Sequence, residues 1–320
     1  MSNVQLPLVP VDRVEILTLM DNYVDMLLPS TEVVQRPILA SENEIPTDTF
    51  VAEHGLSLLV TVYKDDTSNT VLLDTGWSPI GVLHNMDLLK ITPDKIEAIV
   101  LSHAHMDHTG TLLPLLDQME RTTSLVVHPN AFLSPRYIVF EDGRRLMFPK
   151  TLDKKVLKDK GADIVLSEAP VDIAEGKIGV TGQVERVTTF EKGLPNALME
   201  KDGQIVPDPI LDDQSLVINL KGKGLVVIAG CSHAGIINTL LHARKITGVD
   251  KVYAVLGGFH LSGAFFEPII EDTLREFKRM NPEVLVPMHC TGWKAIHRFE
   301  KEFPEAFILS SVGSKFTLAS

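Results

Sequence analysis

Short apolar runs alternate with polar, histidine-bearing turns over much of the chain. Residues 13–20 (RVEILTLM) read as a strand that ends at the polar pair Asp21-Asn22. A stretch punctuated by Pro29, Pro37 and Pro46 follows and reads as a loop. Residues 56–63 (LSLLVTVY) and 70–73 (TVLL) predict two strands joined as a hairpin by the polar DDTSN segment, the second closing on Asp74-Thr75-Gly76. A helical stretch near 81–89 leads into 96–101 (IEAIVL), whose near-continuous hydrophobicity predicts a strand buried on both faces. That run passes directly into SHAHMDHTG at 102–110, followed by a predicted helix over 109–119 and a buried strand over 125–127.

The C-terminal third repeats one pattern three times. Residues 225–229 (LVVIA) end at GCSHAG before a helix over 236–246. Residues 251–256 (KVYAVL) end at GGFH before a helix over 268–280, and 283–287 end at MHCTG. Each unit delivers a histidine at the carboxyl end of a strand, where open α/β sheets bind ligands. Strands alternating with helices predict the α/β class. Residues 129–200 show few clear periods and read as strand and loop decoration, a candidate substrate lid or insertion.

Composition narrows the function classes. The length of 320 residues allows one large domain or two, and a 44% hydrophobic content excludes wholesale disorder. The net charge of −12 argues against non-specific nucleic-acid binding. No run approaches the ~20 apolar residues of a membrane helix. The first residues carry no basic segment, apolar core or cleavage site of a secretion signal, so a reducing cytoplasm is the expected location. Two cysteines, Cys231 and Cys290, do not make a disulfide scaffold.

The histidines carry the chemistry. His103, His105, Asp107 and His108 fall within six positions, directly after a buried strand. Imidazole nitrogens and carboxylate oxygens are the ligand set of zinc and related divalent ions. Two histidines at i and i+2 of an extended segment point to the same side, while Asp107 and His108 lie in the turn entering a helix. One segment can thus serve two metals at the roughly 3.5–4 Å spacing of dinuclear sites. The alternative, a polar loop that happens to be histidine-rich, does not account for four ligand-type residues in so short a run.

HAHMDH is the HxHxDH signature of the metallo-β-lactamase superfamily, and Asp74 in LLDTG matches that superfamily's first motif. Over most of its length the chain also resembles a narrower subfamily of metallo-hydrolases, named after an archaeal dihydropterin–ribofuranosylaminobenzene phosphate synthase. The shared landmarks are Asp21-Asn22, EHGLSLL at 53–59, LLDTG at 72–76, DDQ at 212–214, AGCSHAG at 229–235, GGFHL at 257–261 and MHCTG at 288–292. The resemblance implies a four-layer αββα sandwich, one domain over 1–320, with the metal site along one edge of two facing sheets.

The same resemblance implies a ligand scheme. His103 and His105 fall to a first metal and Asp107 and His108 to a second, with His233 completing the first and His289 the second. Where many relatives carry a bridging aspartate, this chain has Gly230-Cys231. Either the Cys231 thiolate takes that place, which favours zinc, or the cysteine is buried and inert; Cys290 poses the same choice. His260 is expected at the pocket edge as a catalytic or substrate-binding group, the alternative being a hydrogen-bonded turn. Glu53-His54 is open between a pocket role and a structural turn, and Asp74 is expected to orient a ligand histidine. His84, His128, His242 and His297 carry no motif.

Two divalent ions are expected as cofactors, zinc first, with manganese or iron as alternatives. A hydroxide shared between two metals, its parent water acidified to a pKa of about 7, would attack a carbonyl or phosphorus centre, with Asp107 holding it in orientation. The expected activity is hydrolysis of an ester, lactone or phosphoester bond in a small molecule. The alternative is a non-hydrolytic synthase or cyclase on a pterin-like or phosphorylated substrate, the metals acting as Lewis acids. Arg136, Arg144, Arg145, Lys150, Lys154, Lys155 and Lys158 could steer an anionic substrate, or could be a solvated surface. A non-catalytic metal-binding module and a redox diiron enzyme are the remaining readings; the second normally needs a partner domain.

Overall fold

Why the apolar runs are continuous is plain from where their side chains go. In the strand Thr67–Leu73, Val71 and Leu73 face one core while Leu72 faces another. In Gly224–Ala229, Val226 and Ile228 point to the first core and Leu225, Val227 and Ala229 away from it. Side chains alternate across a strand, so a strand buried on both faces must be apolar at every position.

The computed structural model describes residues 6–39, 44–140 and 142–320; the reading of the extreme N-terminus falls partly on residues 1–5, outside the described residues. An eight-stranded sheet runs in the order Val34–Gln35, Lys315–Ala319, Arg13–Met20, Ser57–Lys64, Thr67–Leu73, Ala98–Val100, Thr123–Val127 and Ala162–Leu166. A six-stranded sheet runs Val171–Ile173, Ile178–Val180, Ser215–Leu220, Gly224–Ala229, Val252–Gly258, Val284–Met288. Ile16, Val60, Val71 and Val100 of the first meet Leu216, Ile228, Leu256 and Val286 of the second in one shared core. Helices Ile236–Thr247, Ile270–Met280 and Trp293–Glu302 cover the second sheet through Leu240, Phe277 and Phe299. Helices Gly81–Leu88, Leu112–Asp117 and Lys154–Asp159 cover the first through Met86, Leu115 and Leu157. The layers are therefore helix, sheet, sheet, helix, as the family resemblance implied.

The parallel pairings within each sheet bring the carboxyl ends of several strands to one edge. There the chain turns through unusual backbone: Asp74, Ser232, His260 and His289 all have positive φ, between 45° and 60°. Such a non-glycine residue costs about 1–2 kcal/mol, which one or two fully buried aliphatic side chains offset. Concentrated strain of this kind marks functional sites.

Three expectations are revised. The helix at 109–119 is two short ones, Met106–Thr109 and Leu112–Asp117, hinged at Gly110, where a Cβ would lie 1.7 Å from the Trp77 carbonyl oxygen. The strand at 70–73 begins at Thr67, because the hairpin turn is tighter than the polar segment suggests: Lys64 pairs with Thr67. Residues 129–200 are not all decoration, since Ala162–Leu166 extends the first sheet and Val171–Ile173 with Ile178–Val180 the second. Arg136–Val139, Arg145–Met147 and Ala197–Lys201 stand apart, in a four-stranded sheet with Gln204–Pro207. Among the described residues no helix is long and apolar enough to cross a membrane.

Candidate metal centre

The strand Ala98–Val100 is buried on both faces and delivers His103 and His105 in extended backbone before the turn at Met106. Their ligand atoms and one of His233 lie within 4.8 Å of one another. The Nε2 atoms of His103 and His233 face each other at 3.2 Å, and His105 stacks on Phe148, ring centroids 4.8 Å apart. A second cluster joins Asp107, His108, Cys231 and His289, again within 4.8 Å. Here His108 Nε2 lies 3.1 Å from Cys231 Sγ, and His289 Nε2 3.3 Å from Asp107 Oδ2. The rings of His103 and His108 are 4.2 Å apart, so the clusters adjoin. Cys231 also groups with His233 and His260, which places its sulfur between the two sets.

Supports fix each ligand. Asp74 Oδ2 lies 2.6 Å from His108 Nδ1, and its carboxylate accepts from the Ser102 amide and hydroxyl, both at 2.7 Å. That leaves His108 Nε2 to face the cluster, as expected of a carboxylate that orients a ligand histidine. Gly230 is required beside it, since a Cβ there would meet Ser102 Oγ at 2.1 Å. The DDQ segment, whose roles the sequence did not reveal, holds the loops from below. Asp212 Oδ2 accepts from the Ala104 amide between His103 and His105, Asp213 Oδ2 accepts from the Ala234 amide after His233, and Gln214 Nε2 donates to the Leu101 carbonyl. All three bonds reach across about a hundred residues or to another strand end, so no local pattern could announce them.

The remaining sequence candidates sort by geometry. Glu53 belongs to a turn: its Oε1 accepts from the Trp77 and Ser78 amides. His54 instead faces a cavity of about 380 Å³ lined with Trp77, Asp107, Phe148, Leu194 and His260. His260 packs on His233 and edge-on to Phe266, with its Nδ1 buried and unpartnered. Cys290 lies behind Cys231, its thiol 3.4 Å from the Cys231 carbonyl, and both cysteines are free. Arg136 is not available for steering. It is buried, gripping Asp212 with both Nη atoms, while Nε lies 3.1 Å from Asp208 Oδ2. Arg144 is exposed and pairs with Asp142.

The electrostatics suit a cation. Burial pushes His103 and His233 well down and His105 to about 4, so all three are neutral with lone pairs to offer. Burial opposes a charge on Asp107, but His108 and His289 hold its carboxyl well below the usual range. Burial would also depress His108, yet the Asp74 and Asp107 carboxylates raise it to about 9. Buried atoms without partners include His289 Nε2 and His233 Nδ1. Three imidazoles in one cluster, and two imidazoles, a carboxylate and a sulfur in the other, with a bare buried nitrogen facing inward, fit divalent ions.

A pH dependence follows from His108. Because its folded value of about 9 exceeds the ordinary 6.5, the stability it lends the metal-free chain is complete below pH 6.5 and lost as pH rises through about 9. The loss is about 3 kcal/mol at ~1.4 kcal/mol per pH unit. A metal on Nε2 takes the place of that proton. Urea unfolding should therefore show the slope in the metal-free chain and none in the zinc-loaded one; parallel curves would refute the arrangement.

The layers, the edge site and its paired clusters define a class: the chain belongs to the metallo-β-lactamase superfamily, whose family model matches residues 53–183. Among curated proteins it is 36% identical, over 81% of this chain and 87% of the relative, to the 7,8-dihydropterin-6-methyl-4-(beta-D-ribofuranosyl)-aminobenzene-5'-phosphate synthase of Methanocaldococcus jannaschii. An uncharacterized protein of the same organism, MJ0448, is 30% identical over 79% of this chain and 89% of its own. Among solved structures the chain is similar to Tm1679, described as a metal-dependent hydrolase of the β-lactamase superfamily, with a TM-score of 0.72, 26% identity and coverage of 96% and 100%.

Proposed function

We propose that this protein is a metal-dependent hydrolase that cleaves an ester, lactone or phosphoester bond of a small molecule. The observation that carries the reading is the pair of adjoining clusters, His103, His105 and His233 beside Asp107, His108 and His289, of which His105, Asp107 and His233 line the cavity. In this reading the first three residues hold one divalent ion and the second three another, with Cys231 between them; the sulfur favours zinc over manganese or iron. Bound there, such a pair supplies Lewis acidity and water acidified to a pKa of about 7.

The chain's own residues do the rest. Asp107, kept ionised by its histidine neighbours, accepts a hydrogen bond from an incoming water and orients it. His260, at the cavity wall against His233, presents its ring to substrate. Phe148 and Trp77 flank the opening and exclude bulk solvent, which strengthens every polar contact inside.

A second reading has a specific observation behind it. The 36% identical relative is a synthase, so the same donors could activate a pterin-like or phosphorylated substrate for condensation. One experiment separates the two. After metal analysis and a screen of lactones, phosphodiesters and pterin compounds, turnover is run in ¹⁸O-labelled water. Hydrolysis must place solvent oxygen in a product; turnover without label would overturn the hydrolase and leave the synthase.

A further inference from the structure

Asn22 lies between two histidines of the site. Its Oδ1 is 3.0 Å from His289 Nδ1, and its Nδ2 is 3.1 Å from His54 Nδ1 and 3.3 Å from the His289 carbonyl oxygen. The carbonyl decides which way the amide points. A carbonyl oxygen only accepts, so the Asn22 atom beside it must be the NH₂ group; the flipped amide would set two acceptors 3.3 Å apart. Both protons of that NH₂ are then placed, one on the His289 carbonyl and the other on His54 Nδ1.

The ring orientations follow. Asn22 Oδ1 accepts from His289 Nδ1, which turns His289 Nε2 toward Asp107 Oδ2, 3.3 Å away. His54 Nδ1 accepts, so neutral His54 carries its proton on Nε2. That N–H faces the cavity, 3.6 Å from Asp107 Oδ2, outside hydrogen-bond length. The side chain is 58% exposed, with Trp77 edge-on at 6.1 Å and the His289 ring at 4.9 Å. The loop beneath does not move freely. Glu53 N donates to the Asp21 carbonyl, Leu56 N to the Asp107 carbonyl, and a Cβ on Gly55 would meet Trp77 N at 2.8 Å. A donor on a pinned loop, aimed at the open side of the site and lacking an acceptor, is built for a ligand oxygen.

We propose that His54 is a substrate-binding residue whose Nε2–H donates to a carbonyl or phosphoryl oxygen of the substrate, its tautomer set by Asn22. One amide thereby orients two histidines: His289 turns its Nε2 to the metal cluster and His54 its Nε2–H to the cavity. The role rests on the hydrolase reading for its substrate class, but the tautomer does not.

The test uses the full chain with ¹⁵N-labelled histidine. Two-bond ¹⁵N–¹H correlation, with the His54 signals identified by their loss in His54→Gln, should show the Nε2–H tautomer. An Nδ1–H pattern would overturn the proposal. On zinc-loaded protein, calorimetry with inorganic phosphate should show affinity about tenfold weaker in His54→Ala, the value of one neutral hydrogen bond. His54→Gln, which keeps an N–H near the same place, should stay within about threefold of wild type. Equal affinity in all three proteins overturns the proposal, and so does a drop in zinc content in His54→Ala, which would make His54 a support of the metal instead. A wild-type chain that holds no zinc defeats the hydrolase reading alone, because the tautomer spectrum does not depend on the ion.

Discussion

Alanine at His103 or at His105 is expected to abolish turnover and to remove at least one bound metal per chain, while the fold survives. The first cluster has three nitrogen donors, His103, His105 and His233, and burial holds all of them neutral. A tetrahedral cation with three protein ligands does not tolerate the loss of one. Lewis-acid stabilisation is worth several kcal/mol, so turnover should fall by about three orders of magnitude or more. The fold has independent support, because both histidines lie on a loop beyond the strand and outside the three apolar cores. Metal content, circular dichroism and turnover measured together give the result, with His297→Ala as control: that side chain is exposed and pairs with Glu300. Wild-type metal content and activity in His103→Ala would end the ligand assignment.

Part of this site was legible because its chemistry is local. Strands buried on both faces are continuous apolar runs, and the residues just past them lie at one sheet edge, which grouped His103, His105, Asp107 and His108; choosing His233 and His289 as their partners took the family resemblance. The choice over Cys231 could not be made that way. Its sulfur sits 3.1 Å from His108 Nε2 because strands 224–229 and 98–100 belong to different sheets that face each other. The supports were hidden for the same reason: Asp212, Asp213 and Asn22 act through backbone groups and ring nitrogens distant in sequence, and a lone Asp or Asn carries no sign of its partner. The strands expected within 129–200 could not be placed individually because they are short and, Ile178–Val180 apart, partly exposed, which erases the contrast between core and solvent positions. The basic run there mixes two situations, since a charge count does not say that Arg136 is buried against two carboxylates while Arg144 is exposed.

That buried arginine underlies the other large effect. Arg136, from the small sheet, grips Asp212 at 2.6 and 3.1 Å, and the same Asp212 carboxylate accepts from the Ala104 amide at 3.1 Å. Burial opposes a charge on Asp212, but Arg136 more than compensates and holds its carboxyl below the usual range. Removing one partner of a buried pair costs about 3–5 kcal/mol, and the Asp208 carboxylate, 3.1 Å from Arg136 Nε, holds the loss of Asp212 to the lower end of that range. Asp212→Ala should lose that much in urea unfolding of the metal-free chain. It should also weaken zinc binding by about 10- to 100-fold, as losses of residues that orient metal ligands do, because the Ala104 amide between His103 and His105 has lost its acceptor. Asp212→Asn separates the two consequences. It removes the charge and so destabilises, yet an amide oxygen can still accept from Ala104, so zinc affinity should stay within about threefold of wild type. Equal zinc affinity in Asp212→Ala and wild type would reduce the Arg136–Asp212 pair to a clasp between the small sheet and the sandwich. A loss in alanine that asparagine restores would tie the geometry of the metal loop to an ion pair formed beneath it.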